Sequence, residues 1–82
     1  MRQNVSTAEI GKMIKQCRKA LRVTQQELAL TSGTGIRFIV DIEKGKETCQ
    51  IGKVLSVLQT LGISLQFDKP VRLGDDSENS SD

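Results

Sequence analysis

Residues 24–45, TQQELALTSGTGIRFIVDIEKG, limit the fold of this chain more than any other stretch. Thr24 with Glu27 three positions later has the form of a capping box, in which each side chain satisfies a backbone N–H of the other residue at a helix start. Leu28 and Ala29 give this short helix an apolar side. Ser32-Gly33 then stops it, because glycine enters the left-handed conformation at little cost. A second helix is expected over residues 35–43, with Ile39 and Ile42 as its inner face and Gly45 as its stop.

The flanks supply the rest of a small helical domain. Thr7 is the expected cap of a first helix over residues 7–21, with Ile10, Met13, Ile14, Cys17 and Leu21 on one face. Thr48 is the expected cap of a fourth over residues 49–61, ended by Gly62. That helix is unusually apolar. Ile51, Val54, Leu55 and Leu58 can close the core, while Val57 and Leu61 widen the stripe beyond what one small domain needs. Either the helix is buried all round or part of it is a homodimer seam. Residues 63–67 alternate apolar and polar, as a half-buried strand does. With no second strand in the chain, the natural partner is the same strand of a second copy. Val57, Leu61, Ile63, Leu65 and Phe67 are therefore the candidate dimer interface. The domain boundaries follow: residues 1–6 a flexible arm, 7–69 the folded domain, and 70–82 a disordered acidic tail that holds too little apolar area to fold.

Composition narrows the function. All twelve Lys and Arg of the 82-residue chain lie before residue 74, while four of the ten acids (Asp75, Asp76, Glu78 and Asp82) follow it. A basic body of this kind suits a polyanion. The chain has no histidine, no cysteine pair at zinc spacing and no phosphate-cradling glycine loop, so enzyme, metal and cofactor chemistry are not expected. Asp41 and Glu43 are two apart on a helix and do not face each other. Cys17 reads as a small core residue. No apolar run suits a membrane span or a secretory leader, so a cytoplasmic protein is expected.

Two helices about a tight turn form a helix-turn-helix, whose second helix commonly lies in the DNA major groove. The joint occurrence of Thr24-Gln25, Leu28-Ala29, Gly33, Ile39, Glu43 and Gly45 resembles the Xre/Cro family of regulators over residues 8–62. The resemblance implies a mainly α fold, a lambda-repressor-like bundle of four to five helices, here with a short C-terminal strand pairing across a dimer. It implies that Thr24 and Gln25 meet a DNA phosphate at the start of the second helix. It also implies that Ile36, Arg37, Phe38 and Asp41 face base edges, with Arg37 the best reader of guanine. Lys44 and Lys46 after the reading helix, and Lys19 and Arg22 near the end of the first, are candidate phosphate contacts. Arg18 and Glu43 are implied to form a structural ion pair. Three departures stand out: Gly35 replaces the usual Ser or Thr cap, Ile36 and Phe38 are apolar, and so is Val40.

Beyond the motif, residues 48–65, TCQIGKVLSVLQTLGISL, resemble the end of HipB-like antitoxins, as does the run RFIVDIEKGK. That branch implies a homodimer on a palindromic double-stranded operator, repressing its own operon, and a HipA-like serine/threonine kinase toxin as partner, in some systems split into two proteins. A stand-alone Xre-type repressor shares every DNA-facing residue. An adaptor that binds protein and no longer DNA is a further alternative, suggested by the apolar reading face.

Overall fold

A computed structural model describes residues 5–66. Phe67 and the tail at 70–82, like the first four residues of the expected arm, lie outside the described residues. Four helices form: α1 (Thr7–Ala20), α2 (Gln25–Ser32), α3 (Ile36–Glu43) and α4 (Ile51–Thr60). No described helix is long and apolar enough to cross a membrane.

Local chemistry sets most of the helix ends. The α1 cap is Ser6 and not the expected Thr7: its Oγ accepts from the Glu9 N–H at 3.2 Å. Thr7 is thereby released, and its hydroxyl donates to the Gly45 carbonyl at 2.8 Å, pinning α1 to the loop after α3. The α2 capping box is complete, with Thr24 Oγ1 accepting from Glu27 N–H at 3.0 Å and Glu27 Oε1 from Thr24 N–H at 2.9 Å. Gly33 closes α2 at φ 75°, in the left-handed region. The N-cap of α3 is a bare Gly35, and that of α4 is Gln50 rather than the expected Thr48; neither makes a side-chain cap bond.

The core consists of Ile14 from α1, Leu28 and Ala29 from α2, Ile39 and Ile42 from α3, and Val54, Val57 and Leu58 from α4. Met13 and Leu21, expected inside, are exposed, while Ile14 of that stripe is buried and Ile10 packs half-buried against the core. Gly11 allows a close approach of α1 to α3. A Cβ there would overlap the Ile42 carbonyl oxygen and lie 3.0 Å from that of Glu43. Glycine is required because α1 crosses directly over the end of α3.

α4 corrects two expectations. Val57, assigned to the dimer seam, is fully buried against the domain's own core. Ile51 and Leu55, assigned to the core, are 70% and 45% exposed. The helix is rotated relative to the expected facing, and the Ser56 hydroxyl helps fix that rotation by donating to the Ser32 carbonyl at 2.8 Å. Among the described residues no strand forms: 63–66 follow the turn after α4 without regular structure. A strand exists only as a paired element, and one copy of this chain gives that segment no ladder partner.

Candidate nucleic-acid interface

α2 and α3 meet across the Gly33 turn, and α3 presents two unlike sides. Ile39 and Ile42 are buried. Arg37, Asp41 and Lys44, spaced by four and three residues, share the opposite side. Arg37 and Lys44 are exposed, and Asp41 is half-buried. Ile36 is 48% exposed beside them, so an apolar group does stand on the outer surface. Phe38 does not: it is half-buried against the core, with the Lys53 ammonium of α4 5.8 Å from its ring centroid. A cation over an aromatic face at that range is mildly attractive. Val40 is likewise half-buried.

The stripe rests on a charged hub at the C-terminal end of α3. Arg18 is buried, and its guanidinium grips the Glu43 carboxylate with two bonds, Nε to Oε2 at 2.6 Å and Nη2 to Oε1 at 3.2 Å. Its remaining nitrogen donates to the Val23 carbonyl at 2.8 Å, before α2 begins. Gln25 adds a third donor to the carboxylate, Nε2 to Oε1 at 3.0 Å. This last bond is not visible in sequence: Gln25 is partly spent inside the protein, leaving its second amide hydrogen for an outside acceptor. Burial is the largest single influence on Glu43 and raises its pKa. The bonds from Arg18 and Gln25, with the charges of Arg18 and Lys15, outweigh it, so the carboxyl sits below its usual range. One carboxylate thereby ties α1, the start of α2 and the end of α3 into a fixed unit.

Of the other expected phosphate contacts, Lys46 lies beside the stripe, and Lys19 and Arg22 lie at and just past the end of α1; all three are exposed. Arg22 is also the one described non-glycine residue with positive φ, 60°, a conformation that costs an L-residue roughly 1–2 kcal/mol. Lys46 pairs with Asp41 at 3.5 Å. As the α2 cap, the Thr24 hydroxyl accepts from the Glu27 N–H and keeps its own hydrogen free to donate. Among the described residues no cluster of metal-ligating side chains occurs.

A helix-turn-helix domain model matches residues 11–67 of the chain. An HTH-type transcriptional regulator from Sinorhizobium fredii, itself of uncharacterised role, is 54% identical over 63 residues, covering 77% of this chain and 83% of that protein. The chain belongs to the helix-turn-helix family of transcriptional regulators. Within it, this regulator is Xre-like and resembles HipB in fold: it matches a chain of a solved HipA–HipB–O2–O3 complex at TM-score 0.73 and 22% identity, over 84% of this regulator and 97% of that chain. A second likeness is to the restriction-modification controller protein C.AhdI from Aeromonas hydrophila, at TM-score 0.63 and 22% identity, over 71% of this regulator and 84% of that chain. At such identity the two structures speak for a shared fold.

Proposed function

We propose that this regulator is a sequence-specific DNA-binding antitoxin that represses its own type II toxin–antitoxin operon and neutralises a HipA-like serine/threonine kinase. The observation that carries the DNA-binding part is the outer stripe of α3, with exposed Arg37 and Lys44 and with Lys46 beside Asp41, braced by the buried Arg18–Glu43–Gln25 hub; exposed Lys19 and Arg22 are further candidate phosphate contacts. α3 fits the major groove, Arg37 reads a base edge, and the surrounding lysines, with Thr24 and Gln25, hold phosphates.

The regulator acts as a homodimer in this reading. Leu55 and Leu65 are exposed and line a shallow apolar groove with Leu58 and Ile63. A neighbouring groove runs from Leu58, Ile63 and Leu65 to exposed Val5 and Met13. A second copy would cover both, and pairing of the 63–67 segments across the two-fold axis would supply the missing strand ladder. Leu61 and Ile63, half-buried on their own core, would then sit at the margin of the seam. The kinase partner is supported by the likeness of residues 48–65 to HipB-like antitoxins and by a fold shared with nearly the whole of a chain from the HipA–HipB–O2–O3 complex.

Fluorescence anisotropy with the duplex upstream of its own gene tests the DNA-binding part. Arg37→Ala should raise Kd by about 1–3 kcal/mol, roughly five- to 150-fold. Lys44→Ala should flatten the log Kd against log salt slope by about 0.9. No binding by the wild type at low or physiological salt would favour the adaptor reading. Recovery of a Hip-type kinase with the tagged regulator from its host supports the antitoxin role; DNA binding without any such partner supports a stand-alone repressor.

A further inference from the structure

Asp41 is an anomaly on a surface built for a polyanion. It lies one turn beyond Arg37 on the outer stripe of α3, where a carboxylate repels phosphate. A helical neighbour four residues away is a ready ion-pair partner, yet the Asp41 carboxylate pairs with Lys46 at 3.5 Å. Among the described residues Arg37 has no ion-pair partner. Asp41 therefore restrains one lysine and leaves the main reader free. The Asp41 side chain is 26% exposed and that of Lys46 52%, so the pair is loose enough to part. A pair this exposed contributes little to stability, about 0–1 kcal/mol.

We propose that Asp41 is a specificity-determining residue that accepts a hydrogen bond from the amino group of a cytosine and discriminates against sites lacking one. The inference rests on the DNA-binding reading above. When α3 enters the groove, Lys46 leaves Asp41 for a phosphate. The freed carboxylate is an acceptor only and can be satisfied in the major groove by the cytosine N4 amino group. Opposite guanine O6 and N7, or thymine O4, it meets acceptors and is left desolvated and unpaired, and at adenine the N6 donor comes with the N7 acceptor beside it, which a carboxylate repels. Four residues of helix advance about 6 Å, and stacked bases are about 3.4 Å apart. The cytosine thus lies about two base pairs from the guanine read by Arg37.

The test is selection of bound sites from a random duplex library, followed by sequencing, with the full chain as wild type and as Asp41→Asn. Asparagine keeps the shape, removes the charge and accepts and donates alike. Wild type should enrich a guanine with a cytosine about two base pairs away, and Asp41→Asn should keep the guanine and lose the cytosine. On a random-sequence duplex Asp41→Asn should also bind at least about fivefold tighter, because Lys46 is released and a repulsive charge removed. Identical base profiles for the two proteins would overturn the role of Asp41 and leave DNA binding intact. A wild type that enriches no sequence would overturn both.

Discussion

Arg18→Ala should lower the stability of the regulator by about 3–5 kcal/mol, because it leaves the Glu43 carboxylate buried with Gln25 as its one remaining side-chain donor. For a domain this small that approaches its whole stability, and a thermal melt should fall by roughly 15–30 °C. Both partners are well covered, with side-chain exposures of 10% for Arg18 and 4% for Glu43, so screening by water does not rescue the variant. Arg18→Lys should recover only part of the loss, since an ammonium cannot grip both carboxylate oxygens and the Val23 carbonyl at once. The same hub gives a pH dependence. The Glu43 pKa is lowered in the folded state from an ordinary value near 4.5. Its contribution is therefore fully present above that value and is lost as pH falls through the folded pKa. Urea titrations of wild type and Glu43→Gln should converge in acid and differ by a constant, full amount above about pH 4.5. An unchanged melt for Arg18→Ala would remove the structural role of the pair.

Gly11→Ala is expected to be the second severe change, at about 3 kcal/mol. Alanine is the better helix former by about 1 kcal/mol, so at an open helical position the substitution would stabilise. Here the new Cβ would meet the Ile42 and Glu43 carbonyls, both backbone atoms that cannot swing aside. Overpacking of this kind costs about 1–3 kcal/mol and occasionally more, and the shift of α3 it forces would also loosen the Glu43 hub. Gly52→Ala is the control: its Cβ would meet nothing within 4 Å, and the melt should hold or rise. Equal melts for the two variants would refute the close crossing of α1 over α3.

The helix-turn-helix frame was legible because its signals are local. Thr24 and Glu27 form the capping box their spacing announces, and Gly33 adopts the left-handed turn expected of it. The Arg18–Glu43 pair, implied by family resemblance, is present with both bonds. What stayed hidden depends on how helices face one another. Five apolar residues in α4 left its rotation open, and Val57 went inward while Ile51 and Leu55 turned out. Gly11 looked like an ordinary helical glycine until α3 was laid across it. Ser6 and Thr7 are both good caps, and the choice fell to Ser6 because Thr7 has a partner 38 residues away. Phe38 was read as a base-facing residue from its place in the motif, whereas it lies half-buried with Lys53 above its ring. Gln25 was read as a phosphate contact, and nothing local revealed that its amide also reaches Glu43.

The most direct test of the central claim, that α3 and its cationic border are the DNA-binding surface, is NMR mapping of the backbone amides as duplex DNA from upstream of the gene is added. The largest shifts should fall on residues 36–41, on Gln25, and on Lys44 and Lys46, with Val54, Val57 and Leu58 nearly still. Shifts confined to Leu55 and residues 63–66, or none at all at low salt, would contradict it.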